Sequence, residues 1–336
     1  MPRGDRYEFG SWRLEVGNVL SRAGRTVHLA PKEMATLQTL VENSGRVIST
    51  DDLMSEVWPA GASADSSLSR CIYILRKILG GGRALALDPN LASAHAALGW
   101  LASMFDGDMA AAEASFARAL SLDPGAADAH GSYSIHLLAS GRLEESLQEI
   151  QAELELDPRS QVTYASRAWV LFCSRRFDEA LAEARRAIEI DPGYAASHSF
   201  LGAIAGHEGA FDEALIAGGK AAALTGDFST WGYVCARAGR RDEAKLVLER
   251  AAREGDNHAT PSRLAAIALA LEERDSALGW LERALERRCI WLRLSLADPR
   301  LDPLRDEPRF RAIVGRVSKA RIATPPALGR RGGRSL

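Results

Sequence analysis

One stretch of the sequence carries polar side chains at a spacing that could serve recognition chemistry. In residues 65–79 apolar residues recur at intervals of four, three and four, which predicts a helix with one buried face. The apolar residues are Leu68, Ile72, Leu75 and Leu79. The opposite face presents Ser66, Ser69, Arg70, Tyr73, Ile74 and Lys77. Such a face is either solvated or a contact surface for a partner rich in hydrogen-bond acceptors.

No set of residues has the spacing of a catalytic or metal centre. His95, His130 and His198 recur at one position of a repeated pattern, where an aromatic ring usually fills a helix hairpin, so we expect a structural role. Glycine-rich residues 80–83 and 218–220 lack the spacing of a phosphate-binding loop. The four cysteines form no CxxC pair. We therefore expect no enzyme activity, no cofactor and no metal.

Charge is distributed unevenly along the chain, whose net charge is −2 over 336 residues. Residues 1–83 carry 11 basic and 9 acidic residues, and residues 316–336 carry 6 basic and no acidic residues, which leaves −10 for residues 84–315. An acidic middle repels phosphates, so any DNA contact must come from the ends. Since the N-terminus lacks the apolar core of a signal peptide and no apolar run suits a membrane helix, we expect a cytoplasmic protein without membrane contact.

The middle of the chain repeats. An aliphatic residue followed by Asp-Pro recurs at spacings of 35, 34 and 34, at residues 87–89, 122–124, 156–158 and 190–192. Small residues follow the same period in two series, the second of which is broken by Glu153. Glycines at predicted turn positions are Gly107, Gly141, Gly209 and Gly239. Glycines at predicted close helix contacts are Gly99, Gly202 and Gly232.

Small residues let paired helices approach, glycine closes each turn, and several hairpins must stack to bury their apolar faces. The pattern resembles the tetratricopeptide repeat (TPR) family. We assign about six repeats to residues 91–288 and expect an irregularity near residues 224–226, where Asp-Pro is missing. Residues 289–315 resemble the C-terminal cap of such arrays, and residues 316–336 read as a basic disordered tail.

The N-terminal part has another pattern. Short alternating segments within residues 7–29 predict a small antiparallel sheet with turns at residues 10–11 and 23–24. Pro31 opens a helix that ends at Glu42. A brief strand at residues 46–48 and a second helix through Val57 precede the helix at residues 65–79.

Residues 7–80 resemble the OmpR/PhoB-type winged helix-turn-helix family. The matching motifs are Leu-Ala-Pro-Lys-Glu at residues 29–33, Asn-Ser-Gly-Arg-Val-Ile-Ser at 43–49, Val-Trp-Pro at 57–59 and Leu-Arg-Lys-Ile-Leu at 75–79. The resemblance implies a DNA-binding domain over residues 1–80, in which the third helix enters the major groove.

The resemblance also assigns roles to single residues. It implies that Arg70 contacts a guanine edge and that Arg76 and Lys77 contact phosphates. Trp58 corresponds to a loop tryptophan that approaches the DNA backbone in relatives, with packing under the loop as the alternative. The predicted DNA-binding residues are Trp58, Ser66, Ser69, Arg70, Tyr73, Arg76 and Lys77.

The sequence departs from this family after the third helix. Relatives continue into a β-hairpin wing, whereas residues 80–82 here are glycines and residues 83–89 parallel the end of a repeat at residues 118–124. We therefore expect the wing to be missing, with a junction at residues 81–90 that enters a partial repeat. This loss lowers the expected DNA affinity and leaves the strand at Val47 with an exposed edge.

The predicted fold is mainly α, with a small α+β winged-helix-like N-terminal domain followed by a TPR α-solenoid. Two functions are open. The first is a DNA-binding transcriptional regulator that binds double-stranded DNA and, on the concave face of its array, a protein partner or signal. The second is a protein-interaction adaptor whose degenerate N-terminal module does not bind DNA.

Overall fold

The structure, a computed structural model, describes residues 6–9, 12–15, 19–22, 25–27, 31–43, 53, 56–57, 89–254, 261–286, 289 and 291–319. Contacts divide the chain into two compact units, Met1–Asn90 with Ala251–His258 and Leu91–Arg250 with Ala259–Leu336. Within the described ranges, no helix has the length and apolarity needed to cross a bilayer.

The N-terminal unit contains a four-stranded antiparallel meander followed by a helix. The strands are β1 (Arg6–Phe9), β2 (Trp12–Glu15), β3 (Val19–Arg22) and β4 (Arg25–Val27), in the order β1-β2-β3-β4. Leu14 pairs with Tyr7 and Leu20, so these side chains share one face of the sheet. Helix α1 (Pro31–Glu42) buries Met34 and Leu37 against that face. The predicted sheet and the bounds of the first helix are confirmed.

The second unit is built mainly from paired helices. The first helices of the pairs are α2 (Ala92–Leu101), α4 (Ala127–Ala139), α6 (Gln161–Cys173), α8 (Ala195–Glu208), α10 (Ser229–Arg237) and α12 (Pro261–Ala270). The second helices are α3 (Met109–Leu122), α5 (Leu143–Leu156), α7 (Phe177–Ile190), α9 (Phe211–Thr225), α11 (Arg241–Glu254) and α13 (Arg274–Glu286). A π-helical turn, Ala102–Asp106, extends α2.

After the pairs come a short helix α14 (Leu292–Ser295), a 3-10 helix (Pro299–Leu304) and helix α15 (Pro308–Lys319).

The Asp-Pro junctions end the second helices. Asp123, Asp157 and Asp191 have φ of −142°, −131° and −137°, since a residue before proline avoids the helical region. The aromatic position six residues after each proline closes the junction: His130 and His198 hydrogen-bond through Nε2 to the carbonyls of Pro124 (3.0 Å) and Pro192 (2.9 Å). These two histidines therefore have the structural role expected from the repeat.

The predicted glycine roles are confirmed. Gly107, Gly141, Gly209 and Gly239 have φ between 67° and 86°, the left-handed region that glycine adopts without penalty. At Gly202 an added Cβ would lie 3.0 Å from the backbone nitrogen of Gly218, so α8 and α9 can pack this closely only without a side chain there. The same region is irregular, as predicted: α9 ends at left-handed Gly226, and α10 has 9 residues.

Candidate functional site

The predicted DNA-binding residues lie outside the described residues. This applies to Trp58, Ser66, Ser69, Arg70, Tyr73, Arg76 and Lys77, and also to the predicted strand at residues 46–48, most of the junction and residues 320–336 of the basic tail. The tail was predicted to be disordered from residue 316, which is wrong for residues 316–319, because they belong to helix α15. Between residues 44 and 88 the structure describes helical Leu53, Glu56 and Val57, and it buries Leu53 and Val57. The burial fits the apolar side of the predicted second helix.

The inner face of the array is formed by the first helices. In the described residues α2 packs on α4, α6 on α8, α8 on α10 and α10 on α12, whereas no two second helices pack closely together. The side on which successive helices approach each other most closely is the inside of a curved stack. The inner face is therefore lined by aromatic and apolar side chains of the first helices, among them Trp169, Cys173 and Tyr233.

Residues 291–304, named the groove segment from here on, lie along this inner face. Helix α14 packs on α4 and on the last pair, and the 3-10 helix packs on α12. Leu294 belongs to one buried cluster with Met104, Leu138 and Val170, which come from the first three pairs. The groove segment thus spans the inner face from the first pair to the last.

A buried ion pair lies at the centre of the groove segment. The Arg300 guanidinium donates from Nη2 to Asp298 Oδ2 at 2.7 Å and from Nε to both carboxylate oxygens at 3.0 and 3.1 Å. Its carbon lies 4.9 Å from the ring centre of Tyr233 and 5.5 Å from that of Trp169, within range of a cation–π interaction. The side chains of Arg300 and Asp298 are 7% and 4% exposed, so these contacts replace almost all of their contacts with water.

The electrostatics of this cluster follow from burial. Burial alone would lower the pKa of Arg300, but the adjoining Asp298 carboxylate outweighs it and raises that pKa. Burial raises the pKa of Tyr233 to about 12 and that of the Cys173 thiol well above its ordinary value. Arg300 is therefore the cation of the cluster, while the phenol and the thiol stay neutral at physiological pH.

A second pair joins the groove segment to the rim of the array. Arg175 donates from Nη2 to both carboxylate oxygens of Asp302, at 2.7 and 2.9 Å, and both side chains are 40% exposed. Arg175 has a φ of 61° at the turn position that is glycine in Gly141 and Gly209. A non-glycine residue in this region carries a strain of about 1–2 kcal/mol, here at a point of contact with the groove segment.

The C-terminal stretch differs from the cap expected over residues 289–315. Helix α15 packs against α13 at the end of the array, as a cap does. The groove segment instead runs back along the inner face. The motif Asp298-Pro299 looks local in sequence, but the next residue, Arg300, contacts Trp169 and Tyr233, which lie far away in the chain. The concave surface expected to hold a partner is therefore covered by the chain itself.

A serine, a histidine and a glutamate meet between the first two pairs. His136 Nδ1 lies 3.0 Å from Ser103 Oγ, and its Nε2 lies 3.1 Å from Glu113 Oε2. This is the order of groups in a nucleophilic triad. However, Ser103 is only 3% exposed, within the π-helical turn, so a substrate carbonyl cannot reach its hydroxyl.

The surroundings of this triad tie the first two pairs together. Tyr133 donates to Glu113 Oε1 at 2.6 Å and Arg142 donates to its Oε2 at 2.9 Å. Burial raises the pKa of Glu113, but these hydrogen bonds outweigh it, so the net shift is downward. Burial lowers the pKa of His136 despite the neighbouring carboxylate. We interpret the cluster as a packed polar network. Its hydrogen-bonded partners lie 20 to 33 residues apart, and no sequence motif marked it.

The described residues contain no group of histidine, cysteine and acidic side chains that could hold a metal ion. In the same part of the chain Cys173 and Cys235 are buried free thiols. Cys71 lies outside it.

Comparisons with known proteins separate the two parts of the chain. Residues 24–86 match the family described as "Transcriptional regulatory protein, C terminal", and residues 106–166 match a tetratricopeptide repeat family. The chain is 36% identical over 74 residues to the transcriptional regulator HilA of Salmonella typhimurium and of Salmonella typhi, a match that covers 22% of this chain and 13% of HilA. The resemblances to the OmpR/PhoB type and to TPR proteins are confirmed.

Solved structures resemble the array in fold. The Cut9–Hcn1 hetero-tetramer of the APC/C matches 84% of this chain and 51% of its own chain, with a TM-score of 0.51 and 13% identity. PilF of Pseudomonas aeruginosa matches 67% of this chain and 97% of its own, with a TM-score of 0.45 and 17% identity. The mainly α fold with a helical solenoid is confirmed.

Proposed function

We propose, from the match of residues 24–86 to the C-terminal domain of transcriptional regulatory proteins, that this chain is a DNA-binding transcriptional regulator whose array binds a protein partner. The observation that carries the proposal is that match together with the 36% identity to HilA. The confirmed sheet and helix α1 support it, because they precede the predicted DNA-reading helix in the order that the family requires.

The charge distribution supports assigning the two roles to different parts. Residues 84–315 carry a balance of −10 and would be repelled by phosphates, whereas residues 1–83 carry +2. DNA contact is therefore assigned to the N-terminal unit, through Arg70 to bases and through Arg76 and Lys77 to phosphates. The array contributes a curved inner face, the surface on which we place partner binding.

The test is a salt titration of DNA binding by the full chain. Labelled duplexes selected from a random-sequence pool, and unselected duplexes as reference, are titrated between about 50 and 200 mM salt, a range over which phosphate-driven binding falls by orders of magnitude. We expect affinity that decreases with salt and a preference for the selected duplexes. Absence of binding at the lowest salt contradicts the proposal.

The matched variants are Arg70→Ala and Arg159→Ala, which remove one positive charge each. Arg159 is exposed at a turn of the array, so its removal should leave DNA binding unchanged. Arg70→Ala should lose about 1–3 kcal/mol of discrimination between selected and unselected duplexes. Equal effects of the two substitutions contradict the role assigned to Arg70.

The second candidate function is an adaptor in which the array alone acts. The aromatic and apolar side chains that line the inner face beneath the groove segment favour it. If the full chain binds no duplex at any salt concentration and still captures a protein partner, the adaptor function replaces the regulator.

A further inference from the structure

The inner face of the array has an occupant with a definite chemistry. We propose that residues 291–304 are the resident ligand of a peptide site on this face, and that the partner which replaces them is a peptide of the same chemistry, with leucines flanking a closely spaced aspartate and arginine. The inference rests on the proposed partner-binding role of the array and names the class of partner for it.

The recognition element of the site is a pair of aromatic rings. Tyr233 and Trp169 lie on two different first helices and both contact the Arg300 guanidinium, at 4.9 and 5.5 Å from their ring centres. A planar guanidinium matches such ring faces better than a compact lysine ammonium does. The site therefore selects arginine.

The counterion belongs to the ligand and not to the array. Among the described residues, Asp298 is the carboxylate within salt-bridge distance of Arg300, and it lies two residues away in the groove segment. When the groove segment dissociates from the inner face, the Asp298 carboxylate and the Arg300 guanidinium leave together, and neither charge remains unpaired in the groove. A replacing peptide must likewise bring an acid beside its arginine, because an unpaired guanidinium in this buried position is costly.

The groove segment is built as a ligand and not as a repeat. Each helix pair buries a long helix against its partner helix, whereas the groove segment consists of the four-residue α14 and one 3-10 helix. Leu301 and Leu304 of the 3-10 helix are fully buried, and this helix packs on α12 of the array. It therefore gains its order from the groove.

The attachment at the rim suits exchange. The Arg175–Asp302 pair is 40% exposed on both sides, so water can replace either partner at small cost. Arg175 is held at a φ of 61°, where the turns at Gly141, Gly209 and Gly239 carry glycine and the turn of the last pair carries Glu272 at 67°. Strained backbone is found at ligand clamps and switch regions, and at Arg175 it coincides with a contact to the groove segment.

The test uses the full chain and a labelled synthetic peptide that copies residues 291–305. The chain variants are wild type, Arg300→Ala and, as control, Arg305→Ala, whose exposed guanidinium pairs with Asp302. A second peptide carries alanine at the position of Arg300 and keeps the other two arginines, at the positions of Arg293 and Arg305. We expect the Arg300→Ala chain to bind the arginine peptide at least tenfold more tightly than wild type and Arg305→Ala do, and to bind the alanine peptide poorly.

Two results overturn the proposal. One is a folded Arg300→Ala chain that binds neither peptide, which makes the groove segment a fixed part of the core. The other is equal binding of the arginine peptide by all three chains, which places it elsewhere. Because the readout is peptide anisotropy, it is independent of DNA binding, so failure of the regulator function leaves it interpretable.

Hydrogen exchange on the wild-type chain tests the same inference without a substitution. The amides of Ser295, Asp298 and Leu301 are hydrogen-bonded within the groove segment. We expect them to exchange through a local opening, at least tenfold faster than hydrogen-bonded amides in the centre of α6. If these amides exchange hydrogen only at the rate of global unfolding, the groove segment does not open locally and the proposal that a peptide replaces it is contradicted.

Discussion

Breaking the ion pair between Asp298 and Arg300 in the groove segment gives a measurable energy. Arg300→Ala leaves the Asp298 carboxylate, 4% exposed, without its cation. Removing one partner of a buried pair destabilises a protein by about 3–5 kcal/mol. Asp298→Ala strands the guanidinium in the same way. The double variant strands neither charge and loses the pair and the ring contacts, the latter worth about 2 kcal/mol. It should therefore be no less stable than the single variants, with a coupling energy on the order of 3 kcal/mol.

The exposed ion pair between Arg175 of the array and Asp302 of the groove segment is the matched control. Arg175→Ala and Asp302→Ala remove equivalent charges that are 40% exposed, so each should cost less than about 1 kcal/mol. Urea unfolding followed by far-ultraviolet circular dichroism and tryptophan emission measures all variants. If Arg300→Ala and Asp298→Ala cost no more than the control substitutions, the ion pair between Asp298 and Arg300 does not stabilise the folded array.

Two further predictions test packing and protonation. Gly202→Ala and Gly279→Ala both gain helix propensity, but only the Cβ at position 202 meets backbone, 3.0 Å away. The urea midpoint of Gly202→Ala should therefore lie below that of Gly279→Ala by an amount equivalent to about 1–3 kcal/mol. Equal midpoints contradict the close packing of α8 and α9. Burial holds the pKa of His136 below its unfolded-state value, so the unfolded chain takes up the proton first as pH falls. The wild type should therefore lose stability below about pH 6.5, and His136→Gln should lose less of it between pH 7.5 and 5.5; identical slopes of unfolding free energy against pH contradict a buried neutral histidine.

Local chemistry in the sequence predicted much of the array. Gly209 and Asp191 mark a turn and a helix end because their backbone preferences act within a few residues. Glu153, which interrupts a series of small residues, became intelligible only in the structure: a Cβ at Gly131 would lie 2.5 Å from its carboxylate, so the glycine makes room for the larger side chain. Compensation of this kind crosses between helices and leaves no periodic signal.

The inner face could not be predicted from local patterns. Arg175 and Asp302 are separated by 127 residues, and no sequence pattern near either residue predicts their contact. Asp298 and Pro299 therefore looked like part of a terminal cap. His136 was missed for the same reason, since Ser103 precedes it by 33 residues. Helices and turns follow from neighbours in sequence, whereas contacts inside a superhelix depend on how many pairs stack and how strongly they curve.

The course of the groove segment also bears on how the array folds. Repeat arrays ordinarily fold and fray as chains of neighbour-to-neighbour units, because each repeat touches only the adjacent ones. Through residues 292–304 the groove segment contacts helices of early and late pairs at once. The two ends of the array therefore cannot unfold separately while the groove segment occupies the inner face. During synthesis the helix pairs can fold in order as they leave the ribosome. The contacts of the groove segment form only after residue 304 has emerged, so the last folding step joins sites that are distant along the chain.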